Sequence, residues 1–256
     1  MGVLDLFSLE GQVGVVTGAG KGIGRGIAVS LAEAGADVAL AARSEADLDV
    51  VAEEIRELGR RALVVPTDVT QPGAQEVLAQ RTVDELGRPS IWVNNAGGLP
   101  GAKPNYLTRT PENSWDAQID LNLKAVWVGA TSAAAAMGDE GGTIINISSR
   151  VAMGPQRKNG PYAASKAAAN SLTETLSVEL APKIRVNAVA PGPIPTENFL
   201  ESTSTAPDQV GAVEKALPIP LRRLGTPEDI GAAVVFMASP AASWVTGQVL
   251  YVTGGF

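Results

Sequence analysis

The chain has 256 residues, 45% of them hydrophobic, a formal charge of −7, no cysteine and no histidine. That length can bury the core of one α/β domain. The acidic balance disfavours nucleic acid as a partner, and no apolar run is long enough to cross a bilayer. Without cysteine there are no disulfides and no thiolate chemistry. Without histidine the commonest general base and metal ligand are both missing. Acid–base work must then fall to carboxylates, lysine or one of three tyrosines, Tyr106, Tyr162 and Tyr251, and no metal site is expected. The opening MGVLDLFSLEGQV has no basic stretch and no long apolar run. It does not read as a secretion signal, so a cytoplasmic protein without membrane association is expected.

In chain order, the first apolar run is VGVVT (13–17), followed at once by GAGKGIGRG. This reads as strand, glycine-rich turn and helix. Gly18, Gly22 and Gly24 follow a TGxxxGxG spacing, with Ile23 where GxGxxG would carry its third glycine. Glycines let the backbone turn sharply and approach a pyrophosphate, whose charge then rests on a helix N-terminus. The second run, VALAA (38–42), leads into Arg43. A preference for NAD calls for an acidic side chain at the carboxyl end of this strand, but Asp37 stands at the other end. Arg43, helped by Lys21 in the glycine turn, can pair with a 2′-phosphate. NADP(H) is therefore the favoured cofactor, with NAD(H) as the alternative.

EADLDVVAEEIRELG (45–59) has the apolar spacing and terminal glycine of a helix. After the third run, ALVVP (62–66), the segment PTDVT places Asp68 and Val69 where they would meet the adenine. After the fourth, IWV (91–93), comes NNAGG, whose Asn95, Ala96 and Gly97 let the chain pass close to the cofactor. The remaining runs are TIINIS (143–148), IRVNAV (184–189) and QVLYV (248–252). Continuous apolar strands separated by helices predict a doubly wound parallel sheet covered on both faces. One Rossmann domain over 1–256 is expected, with seven parallel strands and helices on both sides. Residues 191–224, rich in proline, serine and threonine, read as one long irregular stretch, and a loop that long is usually functional. It is the expected substrate lid.

In NGPYAASKAAAN (159–170), Tyr162 precedes Lys166 by four residues, on one helix face. Transfer of a hydride to a ketone builds negative charge on oxygen, which needs a hydrogen-bond donor and a proton source. A free phenol titrates near ~10, and a neighbouring ammonium would bring it into range. Tyr106 and Tyr251 lack a following lysine and read as structural.

TGxxxGxG, NNAG, DLNLK, NISSR, YxxxK and NAVAPG occur together here, in the order and spacing of the short-chain dehydrogenase/reductase family, which the whole chain resembles. The texture is similar to bacterial 3-oxoacyl-carrier-protein reductases and hydroxysteroid dehydrogenases. The resemblance implies a catalytic tetrad of Asn122, Ser149, Tyr162 and Lys166. Ser149 is preferred to Ser148 because it precedes Tyr162 by thirteen residues. Lys166 and Tyr162 would also touch the nicotinamide ribose, Asn122 would hold a water, and Pro191, Gly192, Ile194 and Thr196 would line the nicotinamide site. The substrate pocket is expected between 98–108, 150–161 and 194–220. Arg150, Arg157, Lys158, Arg222 and Arg223 in or beside these loops read first as solvated cations, and second as receivers of an acidic substrate or acyl-carrier protein. A homotetramer is implied, built on the helices carrying TSAAAAM (131–137) and AASKAAAN (163–170). Two departures from the family pattern stand out. LAPKIRVNAV is one residue short, and Thr253 stands where an aspartate is common. The leading expectation is an NADP(H)-dependent oxidoreductase of a ketone or secondary alcohol. An NAD-dependent dehydrogenase of a hydroxysteroid-like or other cyclic alcohol, and a non-catalytic nucleotide sensor on the same fold, are the alternatives.

Overall fold

Each of the seven short apolar runs forms a strand. These are β1 Val13–Thr17, β2 Asp37–Ala42, β3 Ala62–Pro66, β4 Ile91–Asn94, β5 Gly142–Ile147, β6 Ile184–Pro191 and β7 Val249–Val252. All pair in parallel, in the order β3-β2-β1-β4-β5-β6-β7. The structure is a computed structural model describing residues 2–100, 104–203 and 205–256, and only the backbone of 198, 201 and 202. Residues 101–103 of the expected pocket rim and Ser204 of the expected lid lie outside the described residues.

Successive strand side chains point to opposite faces, and this alternation divides the core in two. On one face Val16, Val93 and Ile145 pack with Ile27, Leu31, Leu48, Ile55 and Val234. On the other, Val15, Trp92 and Ile144 pack with Leu78, Ala130 and Met137. The first face is covered by α1 Gly22–Glu33, α2 Glu45–Glu57 and, from the far end of the chain, α9 Pro227–Ala238. The second is covered by α3 Ala74–Glu85, α5 Ala125–Met137 and α6 Gly160–Glu179. Because β1 lies between β2 and β4, the strand order reverses there and opens a crevice at the carboxyl ends, where ligands of such sheets bind.

Helix α4, Glu112–Ile119, runs into α5 through one π-helical turn over Asp120–Lys124. Single π turns inside helices often mark functional positions. The stretch 191–224 is less irregular than its composition suggests, since it holds α7 Glu197–Thr203 and α8 Val210–Ala216. Helices of about two turns are too short to show a 3.6-residue period, and Pro193, Pro195, Pro207, Pro218 and Pro220 around them mask what signal there is.

Candidate active site

Tyr162 and Lys166 occupy the first turns of α6, whose start is set by Pro161 in its first turn. Lys166 is 3% exposed. Its Nζ donates to the Ile147 carbonyl at 2.7 Å and lies 5.8 Å from the centre of the Tyr162 ring. Ser149, the residue that caps the turn after β5, accepts from the Val151 amide at 3.3 Å and stands near enough to the Tyr162 phenol to pull its pKa down. Ser148 turns away, its hydroxyl reaching the Lys166 carbonyl at 3.5 Å. Strand alternation separates the two serines, as expected of neighbours.

The π turn buries Asn122 completely. Its Oδ1 accepts from the Gly98 amide at 2.9 Å, while its Nδ2 donates to the carbonyls of Gly98 and Gln118 at 2.9 and 3.0 Å. A β-carbon at Gly97 would stand 2.9 Å from Asn122 Oδ1 and 3.2 Å from Lys166 Nζ. Glycine at 97 thus keeps open the space between amide and ammonium.

Burial governs both titrating groups. It pushes the Tyr162 phenol above its ordinary value, with the Ser149 hydrogen bond pulling the other way. It pushes Lys166 down to about 8. The sequence suggests a phenol depressed by its lysine, whereas in the protein alone the phenol is raised. The reason is burial: Lys166, lowered to about 8, loses its proton before the raised phenol titrates, so its charge is gone when the phenolate would form.

The glycine turn meets two other segments. Asn95 Nδ2 donates to the carbonyls of Thr17 and Gly18 at 2.8 and 3.2 Å, and Thr17 Oγ1 accepts from the amides of Asn95 and Ala96, both at 3.0 Å. Gly22 has φ +52°, and a β-carbon there would stand 2.9 Å from Thr196 Cγ2. Gly24 is buried and Ile23 packs against the core at the start of α1. Beyond β6, Gly192 donates to the Val252 carbonyl at 2.9 Å, Ile194 is buried in the core, and Thr196 donates its amide to the Ile194 carbonyl at 2.7 Å. Pro191 ends β6 beside Val252. This bare, glycine-lined cradle at a helix N-terminus fits a dinucleotide.

At the outer end, Arg43 is exposed just after β2. Its charge helps hold the Asp68 carboxyl below the usual range, although the larger cause is Asp68 accepting from the Thr70 hydroxyl at 2.7 Å. Val69 is buried beside it. Asp37 is paired at the opposite strand end with Arg61 at 2.7 Å. Lys21 is differently placed from what its sequence position suggests. It sits between Asp47 and Glu197, at 3.4 and 3.6 Å, so much of its charge is already met. Sequence reasoning passed over these two carboxylates, although Ser44 capping α2 through the Asp47 amide (3.3 Å) is an S-x-x-D signal that places Asp47 at that end.

The three expected rim segments do meet. A cleft of about 310 Å³ is lined by Leu99 and Asn105 from the first, Gln156 to Asn159 from the second and Thr203 from the third, together with Gln118 and with Pro161, the residue before Tyr162. Of the loop cations, Arg150 stacks on Phe256 at 4.0 Å and Arg223 pairs with Asp229 at 2.6 Å. Tyr251 lies on β7, 37% exposed. Tyr106 stands on the cleft rim and accepts from Arg157 Nη2 at 2.6 Å.

An all-parallel Rossmann sheet with a glycine turn and a Ser–Tyr–Lys–Asn cluster at its carboxyl edge defines a nicotinamide-dependent oxidoreductase. Residues 18–256 match the family model described as enoyl-(acyl carrier protein) reductase. The chain is 38% identical over 253 residues to the 7alpha-hydroxysteroid dehydrogenase of Escherichia coli strain K12, covering 98% of this chain and 96% of that one. A solved 7alpha-hydroxysteroid dehydrogenase complexed with NADH and 7-oxo glycochenodeoxycholic acid superposes with a TM-score of 0.91 at 36% identity, covering 100% of this chain and 98% of that one. A Beutenbergia cavernae protein solved with NADP bound at low occupancy gives 0.88 at 37% identity, covering 98% of each chain. The protein belongs to the short-chain dehydrogenase/reductase family, and it is an enzyme acting on CH–OH groups with NAD(P). None of its described helices is long and apolar enough to cross a membrane.

Proposed function

We propose that the protein transfers a hydride between NADP(H) and a ketone or secondary alcohol, with Tyr162 as general acid and base. The observation that carries this reading is the buried Lys166, whose Nζ lies 5.8 Å from the centre of the Tyr162 ring. When bound, the nicotinamide supplies or accepts the hydride. Every other task falls to this chain. The Ser149 hydroxyl and the phenol together donate to the substrate oxygen as charge develops there. Tyr162 gives up its proton in reduction and takes it back in oxidation. Lys166, tied to the Ile147 carbonyl, stands ready to bond the nicotinamide ribose, and Asn122 holds the turn open beside it. Gly18, Ile23, Gly24, Asn95, Ala96, Pro191, Gly192 and Thr196 form the cradle, with Asp68 and Val69 at its adenine end. Arg43 supports the NADP reading, since no ion pair among the described residues engages it.

A second reading, NAD with a hydroxysteroid-like or other cyclic alcohol, is favoured by two observations. Asp47 and Glu197 beside Lys21 would repel a 2′-phosphate, and a relative is solved with NADH. The test is direct. Both reduced cofactors are titrated onto the protein, and their oxidation is followed with a panel of ketones. Turnover that survives in Tyr162→Phe would sink the mechanism, and tight NADH binding with none of NADPH would favour the second reading. We also read 1–256 as one domain with 191–224 as its lid, in a cytoplasmic homotetramer. Exposed Trp127 on α5 and Val178 on α6 support that assembly, which light scattering would weigh.

A further inference from the structure

The mouth of the cleft carries a charge arrangement that hydride transfer does not require. Backbone hydrogen bonds stitch the loop at 104–111 to the one at 156–159. The Asn105 amide donates to the Lys158 carbonyl at 3.1 Å and Asn105 bridges Asn159, while within its own loop Asn105 Nδ2 donates to the Arg109 carbonyl at 2.8 Å. The stitching gathers three cations on one ring. Arg157, Lys158 and Arg109 stand 5.4, 5.4 and 6.0 Å from the centre of Tyr106. Lys158 is held there at φ +65°, a backbone conformation that a side-chain-bearing residue adopts only when its surroundings impose it.

Arg157 and Lys158 line the cleft, and none of the described residues lining it is acidic. None of the ion pairs among the described residues involves Arg109, Arg157 or Lys158. On a chain with a net charge of −7, three like charges crowd one tyrosine, and among the described residues no carboxylate pairs with them. The ring's negative face and the phenol oxygen answer only part of that charge. Arg157 spends one N–H on the phenol and keeps its remaining donors for a partner of fixed geometry. Two of its lining residues neighbour the site: Pro161 precedes Tyr162, and the Gln118 carbonyl accepts from Asn122.

We infer that this rim binds an anionic group, a carboxylate or sulfate, carried by the substrate at the end remote from its reacting carbonyl. The inference rests on the hydride-transfer reading of the same site. It orders the substrate along the cleft, with the carbonyl at Tyr162 and the anion at Arg157 and Lys158. The cations are exposed, so the preference is one of affinity and approach rather than of the chemical step, and it weakens with salt.

The test compares methyl ketones of six, eight and ten carbons that end in a carboxylate with the same ketones ending in a carboxamide. Steady-state reduction is measured at low ionic strength and again with added salt. At the chain length that spans the cleft, the acid should exceed the amide in kcat/KM by about tenfold, chiefly through KM. In the double variant Arg157→Gln/Lys158→Asn, which keeps a residue tolerant of positive φ at 158, the ratio should fall towards one, as it should in salt. Equal handling of acid and amide at every length, or a ratio unchanged in the double variant, overturns the inference. Inorganic phosphate that displaces nothing but binds at the rim equally well in the double variant overturns it too. Calorimetric titration of acid and amide onto the cofactor-saturated protein reads the same preference without turnover. A missing hydride-transfer activity would therefore show separately from a missing anion site.

Discussion

The two ends of the ligand crevice are built on opposite principles. Around the glycine turn the chain packs against itself so closely that single atoms decide the geometry: a β-carbon at Gly24 would lie 2.0 Å from the Gly18 carbonyl oxygen. Asn95 and Thr17 lock the fourth and first strand ends together with four hydrogen bonds. At the cleft mouth the rim is polar and exposed, held by loop-to-loop contacts and charges on one tyrosine ring. A cofactor common to a family suits an unyielding cradle, whereas a substrate that differs from member to member suits a rim whose side chains can change without unsettling the sheet. The catalytic candidates stand between, anchored to the first region and open to the second.

That contrast can be broken at several points. The largest effect belongs to Tyr162→Phe, which should lower turnover about 10³-fold while leaving cofactor titration unchanged, as read by steady-state rates and NADPH fluorescence. Gly24→Ala tests the cradle. It should cost about 3 kcal/mol of stability and most cofactor affinity, seen by urea unfolding, whereas Lys158→Asn at the rim should leave stability within about 0.5 kcal/mol.

Lys166 sharpens the comparison in another way, because burial makes it a stability cost. Its folded pKa of about 8 lies below the ordinary 10.5. The cost of charging it is therefore complete below pH 8 and disappears as the pH rises towards 10.5, where both folded and unfolded forms are neutral. That cost is of order 3 kcal/mol, and losing the bond to Ile147 offsets about 1 kcal/mol. Lys166→Met should then be inactive yet more stable at pH 7 by about 2 kcal/mol without cofactor, with the advantage shrinking at alkaline pH in denaturant titrations. Equal stability of the two proteins at pH 7 would contradict the buried ammonium. Arg43→Ala should weaken NADPH by about tenfold, close to 1.4 kcal/mol, with NADH unchanged. A smaller loss is expected at the start of α9: Thr226→Ala removes the hydroxyl that caps it at the Asp229 amide and should cost about 1 kcal/mol, read by urea unfolding.

The strands were legible almost to the residue, because each is a short apolar run bounded by glycine, proline or charge, and burial on both faces leaves no polar alternation to blur it. The glycine turn and the tyrosine–lysine pair were legible for a related reason: both need particular residue types at fixed local spacing. Lys21 was not. Its partner Glu197 is 176 positions away in sequence and meets it only when α7 folds over the turn. The phenol's upward shift was hidden likewise, since it depends on where the ammonium points and how dry the site is. The short helices α7 and α8 escaped because about two turns carry too little periodicity.

By itself, then, the sequence determined the alternation of strand and helix, the parallel sheet that follows from it, and the residues competent for proton and hydride chemistry in a chain without histidine. These are consequences of local period and of composition. Tertiary structure alone decided that Lys166 bonds the Ile147 carbonyl while lying over the Tyr162 ring, and that Arg109, Arg157 and Lys158 converge on Tyr106. Each of those facts joins segments distant in the chain, and only burial and through-space charge, which spacing does not encode, bring them together.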